Sequence, residues 1–347
     1  MKFRIAFIGF GVVGQGFAKL LLDKKKLLRD KYNFEWEVVA IADKFKGSVV
    51  HTNGIDLEAM LKLVQDGKSI EEYPSGIKGM DSIGVIESSE ADVIAEVTYT
   101  DIKTGGPAMD HVETALQLGK HVVTTNKGPA ALKLEELQKL AKDHNAHLMI
   151  EGTVLSGTPA LNMALKDLAG CEITEIKGIL NGTTNYILEQ MEDGKSYSDA
   201  LRTAQELGYA EANPEADVEA WDALGKIVIL SRSIMKANLG VNDIAREGIT
   251  KVTMNDILKA SDNNCKLKLI AKAWVQNGMI KAKVGPEEVP NTDPLAHVNG
   301  VTNAITFKTD ALGDVTIIGP GAGGVEAGYA LLTDILALNR TMELRGE

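Results

Sequence analysis

Asp222 and Lys226 stand four residues apart in WDALGKIVILSR, so on a helix they share one face, a turn from each other. Apolar Trp221, Leu224, Ile227, Val228 and Leu230 surround the pair, which predicts a helix buried on most of its circumference. Burial draws a lysine's pKa down while a neighbouring carboxylate fixes its position, and a proton donor to a carbonyl oxygen needs both. The same spacing also suits an ordinary helical ion pair worth roughly 0.2–0.5 kcal/mol. Two more carboxylates, Glu211 and Asp217, precede it in GYAEANPEADVEAWDALGK, and the helical pattern runs from Asp217.

A second constellation opens the chain. Gly9-Phe10-Gly11-Val12-Val13-Gly14 is a G-x-G-x-x-G sequence between a strand-like run at residues 3–8 and a helical pattern through Leu22. In that context Gly9 permits a tight turn, Gly11 lets the backbone approach a pyrophosphate, and Gly14 allows close helix–strand packing. The amides at the helix start then hold the anion. A second strand at residues 37–42 closes on Asp43, where an acidic side chain accepts from the adenine ribose hydroxyls and favours NAD. Lys44 and Lys46 follow at once and suit a 2′-phosphate, so NAD and NADP both stay open.

These residues need a scaffold, and the hydrophobic pattern supplies one. Strands at 93–97, 121–125 and 147–150 alternate with helices at 111–119 and 132–144, which predicts an α/β, Rossmann-like, doubly wound parallel sheet over residues 1–150. Residues 45–80 read as a peripheral insertion with a helix at 57–65. Thr98 and the TTNKGPAAL segment that carries Lys127 fall at the carboxyl ends of strands, where ligands bind in such sheets. From Glu151 the EGTVLSGTPAL loop is rich in small residues and carbonyls and suits a hard cation or a domain link. A strand at 172–180 leads into Asn181-Gly182-Thr183-Thr184, whose amides and hydroxyls suit a small carboxylate or cap the helix at 186–191. Strands at 248–252, 265–276 and 279–286, with two more in GVTNAITFKTDALGDVTIIG, predict a second, α+β domain over 151–318. Residues 289–297 read as a Pro-rich loop. GPGAGG at 319–324 opens a last helix through Leu338, assigned with the segment 319–347.

Composition narrows the classes. The 347 residues carry 44% hydrophobic and 24% charged side chains, ordinary for a folded protein of two domains. A formal charge of −11 and the lack of a Lys/Arg stripe argue against nucleic acid as a partner. No run of about 18 apolar residues predicts a membrane span, and the opening strand leaves no room for a signal peptide. Cys171 and Cys265 follow no metal or redox spacing, so a cytoplasmic location is expected. His121, His144 and His147 are not at ligand spacing and are read as structural.

NKGPAAL, LNGTTNYIL, LGYAEANPEADVEAWDALGK and GPGAGG, in this order after GFGVVG, resemble homoserine dehydrogenases from Ile5 to about Leu338. The resemblance is to a stand-alone form without a kinase or a small regulatory domain. It implies interconversion of L-homoserine and L-aspartate 4-semialdehyde with NAD or NADP, in threonine, methionine and isoleucine biosynthesis. It places Glu211, Asp217, Asp222, Gly182 and Thr183 at the substrate, and Lys226, with Lys127 as the other candidate, at proton transfer. Lys127 and Gly323 would also lie near the cofactor, the last helix would return to the nucleotide domain, and the second domain would make a homodimer. Main-chain oxygens of Glu151, Val154, Ser156 and Thr158 would hold a monovalent cation, usually Na⁺. Two rival readings are weighed against it. An acylating semialdehyde dehydrogenase needs a nucleophilic cysteine beside a base, and neither cysteine has one nearby in sequence. A non-catalytic nucleotide sensor would keep GFGVVG without needing Asp222 and Lys226.

Overall fold

The chain, described over residues 2–345 by a computed structural model, divides into two units: Met1–Gly157 with Gly323–Glu347, and Thr158–Ala322.

In the first unit, seven strands lie in the order β4-β3-β2-β1-β5-β6-β7. They are β1 Lys2–Ile8, β2 Glu35–Asp43, β3 Gly47–Val50, β4 Ile77–Lys78, β5 Val93–Glu96, β6 His121–Thr124 and β7 Leu148–Met149. β1, β2, β5, β6 and β7 run parallel. Both faces of these strands are covered, which is why they read as nearly continuous apolar runs. One face packs Phe3, Phe7, Phe17 and Leu21 against Leu331 and Ile335; the other packs Ile8, Val39 and Ile94 against Val112, Leu116 and Leu137. The strand order reverses at β1, and that reversal opens a crevice at the carboxyl ends of β1 and β5.

Residues 45–80 lie at one end of the sheet and also form part of it. They supply β3 and β4, which extend the sheet beyond β2 in antiparallel fashion. Strands of four and two residues leave too little alternation to read in a Gly- and Lys-punctuated stretch. The last helix, Gly324–Arg345, runs past Leu338 and lies against the helix Val12–Asp23. Glycines set that approach: a Cβ on Gly16 would fall 2.2 Å from the Gly324 carbonyl oxygen, and one on Gly328 would fall 2.6 Å from the Phe17 nitrogen. His121 behaves as a structural histidine. Its Nδ1 accepts from the His147 amide at 3.1 Å, and burial, then the neighbouring His147, pushes its pKa down to about 4.

The second unit is a six-stranded sheet in the order β13-β12-β8-β10-β11-β9. The strands are β8 Ile173–Ile179, β9 Ala245–Arg246, β10 Cys265–Gln276, β11 Met279–Pro290, β12 Thr302–Thr309 and β13 Gly313–Pro320. Helices Gly182–Glu192 and Trp221–Met235 pack on it. Two expectations change here. Residues 248–252 form no strand, the edge being Ala245–Arg246 parallel to β11, and β11 itself runs on to Pro290 in place of a loop from 289. The helical pattern from Asp217 is also broken. Glu215–Val218 is a single turn, Ala220 adopts the left-handed conformation at φ 60, and the long helix begins at Trp221. A left-handed alanine costs about 1–2 kcal/mol. Arg246 braces the break, its guanidinium 3.7 Å from the Trp221 ring centroid while it donates to the Glu219 carbonyl.

Candidate active site

In the second unit the break at Ala220 lets Asp217 and Asp222 reach one amide. Asn181 Nδ2 donates to Asp217 Oδ1 at 2.7 Å and to Asp222 Oδ2 at 3.0 Å. Lys226 follows Asp222 by one turn, as the spacing predicts. Its Nζ lies 2.8 Å from Asp222 Oδ2 and donates to the Leu180 carbonyl at 2.6 Å, and the residue is 6% exposed. A lysine so enclosed is held in one orientation by two acceptors, which leaves a third N–H direction for a ligand. Asp217 has its pKa raised: burial is the main cause and the Asp222 charge adds to it, against the Asn181 bond and Lys226. Glu211 stands on an exposed loop, and its charge contributes to the same upward shift.

Asn181 also caps the helix Gly182–Glu192, its Oδ1 accepting from the Thr184 amide at 2.9 Å. Thr184 is thereby satisfied, while the Gly182 and Thr183 amides are the first two of the helix and have no intrahelical acceptor. That pair suits an anion. The Thr183 hydroxyl is committed elsewhere, donating to the Tyr209 carbonyl at 2.7 Å. Asn181, Gly182, Thr183, Asp217, Asp222 and Lys226 thus form one cluster with two carboxylates, an ammonium and two free amides. Asn181 is the member that sequence reasoning missed. The cap was expected from a threonine hydroxyl of NGTT and not from Asn181, whose second task depends on partners 36 and 41 residues away.

In the first unit the glycine loop follows β1. Gly9 sits at φ 99, and a Cβ there would fall 2.7 Å from the Val97 oxygen, so only glycine fits where β1 and β5 separate. A Cβ on Gly14 would meet the Gly9 oxygen at 2.6 Å, whereas one on Gly11 would meet nothing within 4 Å. The loop is therefore tight at its two ends and open at its centre, the shape a pyrophosphate needs. Phe10 is buried in the core, Val12 is exposed and Val13 is half-buried. At the neighbouring strand ends Thr98 donates its hydroxyl to buried Glu96, and Asn126 Nδ2 donates to the carbonyls of Thr98 and Tyr99 at 3.2 and 2.9 Å. Asn126 also caps the helix that opens with Lys127, accepting from the Gly128 amide at 3.0 Å. Thr98 and Lys127 are thereby fixed to each other. Gly323, at φ 124, precedes the last helix.

Cys171 and Cys265 are free thiols, and the Cys265 Sγ contacts only the Asn263 carbonyl among its described hydrogen bonds. Among the described residues neither thiol hydrogen-bonds to a base, so the structure lends the acylating reading no support. What remains is a nucleotide cradle in one unit and an ammonium-and-carboxylate cluster in the other. Residues 9–151 match the family model described as the NAD-binding domain of homoserine dehydrogenase, and residues 159–336 match that of homoserine dehydrogenase. The chain belongs to the homoserine dehydrogenase family.

Among its relatives, an NAD(+)-dependent homoserine dehydrogenase of Pseudomonas canavaninivorans is 40% identical over 347 residues, 100% of this chain and 99% of that one. A homoserine dehydrogenase of Methanocaldococcus jannaschii is 40% identical over 96% of this chain and 97% of its own. The structure of a hyperthermophilic archaeal homoserine dehydrogenase in complex with NADPH aligns with TM-score 0.84 at 28% identity, covering 98% of each chain. No described helix is long and apolar enough to cross a membrane.

Asp43, expected at the ribose, has a structural task in the first unit. Its Oδ2 accepts from the Phe10 amide at 2.9 Å, and its Oδ1 accepts from the amides of Phe45 at 3.0 Å and Lys46 at 3.1 Å. Burial pushes this carboxyl up, but the three amides and the Lys46 ammonium together hold it below the usual range. It is therefore ionised at neutral pH and ties the glycine loop to the end of β2. Asp43→Ala is expected to weaken NAD more than NADP, by removing a ribose acceptor and a charge that repels a 2′-phosphate. Because it also releases Phe10, the variant should melt at a lower temperature. Fluorescence titration with each cofactor, beside thermal melts, checks both outcomes; equal losses for NAD and NADP would show that Asp43 serves only the loop.

Proposed function

We propose that the chain performs the family's reaction, the interconversion of L-homoserine and L-aspartate 4-semialdehyde, with Lys226 as the proton donor and acceptor. One observation carries the assignment of roles: a buried lysine held between Asp222 and the Leu180 carbonyl, beside two free helix-end amides.

The glycine loop fits a nicotinamide dinucleotide, being open at Gly11 where a backbone must approach phosphate and closed at Gly9 and Gly14. NAD or NADP is the cofactor, held by residues 9–14, Asp43, Thr98, Lys127 and Gly323. When bound, it supplies or accepts the hydride. The residues of the chain do the rest. Glu211, Asp217 and Asp222 bind the substrate ammonium, and the Gly182 and Thr183 amides bind its carboxylate. Lys226 gives its proton to the aldehyde oxygen as the carbon is reduced, and takes it back from the alcohol in the reverse direction. Asp222 keeps the ammonium in place through both directions. Lys127 assists at the nicotinamide end.

The 151–157 loop is pinned inside the first unit. The Glu151 amide donates to Asp334 at 3.0 Å, and a Cβ on Gly157 would fall 2.6 Å from the Glu326 oxygen. Ser156 lies at φ 52 with its hydroxyl buried and without a hydrogen-bond partner among the described residues. This supports a monovalent cation, sodium, held by the oxygens of Glu151, Val154, Ser156 and Thr158, where it would supply a fixed positive charge. A cytoplasmic homodimer in threonine and methionine biosynthesis completes the proposal.

A spectrophotometric assay with homoserine, run with NAD and NADP and in sodium, potassium and choline chlorides, tests it, with light scattering on the same preparation. Homoserine-dependent reduction of at least one cofactor is expected. Its absence with both, while cofactor still binds, would make the chain a nucleotide sensor.

A further inference from the structure

Lys268, in the middle of β10, is 0% exposed, and the reaction set out above has no use for it. Its Nζ donates to Asn185 Oδ1 at 3.0 Å and to the Val298 carbonyl at 2.9 Å. Both acceptors are neutral, and burial holds this ammonium below the ordinary lysine range. The charged groups that face it at longer range are Glu192, Lys266 and Glu189. Glu192 is already paired with Lys266 at 3.0 Å, and Glu189 accepts from the Gly300 amide at 2.6 Å. Lys268 is thus a buried cation with no carboxylate in direct contact among the described residues. Such a charge is costly unless something else compensates it.

Its surroundings show where an anion would sit. Asn185 lies three residues after Gly182 and two after Thr183, about 3–4.5 Å along the helix axis from their amides. Asn185 Nδ2 donates to the Val298 and Gly300 carbonyls at 3.0 and 2.9 Å. The strip at 298–301 then presses on the helix start, for a Cβ on Gly182 would fall 2.3 Å from the Val301 oxygen. Lys268 therefore supports the Gly182–Thr183 turn from behind in two ways, through charge and through the strip it pins.

We propose that Lys268 is a positioning residue that makes the Gly182–Thr183 turn selective for the α-carboxylate of an amino-acid substrate. This rests on the reading that the substrate's carboxylate occupies that turn. A unit charge at about 10 Å in an effective dielectric of about 20 changes an anion's binding about tenfold.

The test compares two ligands. Homoserine carries the carboxylate, while 3-aminopropan-1-ol keeps the ammonium and hydroxyl without it and serves as a competitive inhibitor. In Lys268→Met the KM for homoserine should rise about tenfold, with the inhibition constant of 3-aminopropan-1-ol and the KM for cofactor changed less than twofold. Lys268→Gln, which removes the charge but keeps a donor, should show the same selectivity if the Met variant does not fold. Equal losses for both ligands, or no loss for either, would assign Lys268 to the fold alone. The wild-type protein separates the two readings. If it binds 3-aminopropan-1-ol as tightly as homoserine, no site recognises the carboxylate and the underlying reading fails. If it prefers homoserine and the Lys268 variants keep that preference in full, only the inference about Lys268 falls.

Discussion

Lys226→Ala is expected to lower kcat by at least two orders of magnitude while NAD or NADP binds as before. A positioned acid is worth roughly 10²–10⁴-fold, and here the position is narrowly set. Nζ is held 2.6 Å from the Leu180 carbonyl and 2.8 Å from Asp222, so little freedom is left to lose when the transition state forms. The cofactor cradle belongs to the other unit and has no part in those bonds, so cofactor titration by fluorescence should give an unchanged dissociation constant. Stopped-flow measurement of hydride transfer separates chemistry from release. A variant that keeps most of its turnover would make Lys226 a structural cation, and Lys127 would then be the donor to test.

Asp222→Asn is expected to damage both binding and turnover. Asp222 orients Lys226 and shares Asn181 with Asp217, so the neutral replacement removes the partner of a buried ammonium and unsettles the amide that serves the second carboxylate. Each charge-assisted bond lost is worth about 1.5–3 kcal/mol, or about ten- to a hundredfold, and two roles fail together. Glu211→Gln should act in the same direction on the KM for homoserine but less strongly, because Glu211 is exposed and its field is screened. Steady-state kinetics on both variants decides the matter. Wild-type kinetics with homoserine would remove the amino-acid pocket from this helix. Acidification adds a check: Asp217 has a raised pKa, so its charge is lost at a higher pH than an ordinary carboxylate's, and homoserine binding should weaken correspondingly early on the acid side.

What could be read in the chain, and what could not, follows from the range of each interaction. The glycine loop, the parallel strands and the Asp222–Lys226 pair were legible because a period of two or 3.6 residues, or a short motif, encodes each one. The short strands β3, β4 and β9 were not, because two to four residues give no period. The break at Ala220 was hidden for a related reason: alanine is a strong helix former, and its left-handed conformation is imposed by neighbours such as Arg246, distant in sequence. Asp43 was legible as the acidic residue ending β2. Its hold on Phe10, 33 residues earlier, was not. The same holds for Asn181 and Lys268, whose side-chain partners lie across elements.

The crossing of Gly16 and Gly328 has a consequence for synthesis. The aromatic core of the nucleotide unit includes Phe7 and Phe17 from its beginning and Leu331, Ile335 and Leu338 from the last helix. During translation the ribosome must therefore emit the whole of Thr158–Ala322 before that core can close. The first unit to emerge is the last to be completed, and until then the apolar side chains that meet the last helix stay uncovered. A chain cut before Gly324 would carry every residue of the fingerprint and lack the helix that seats it.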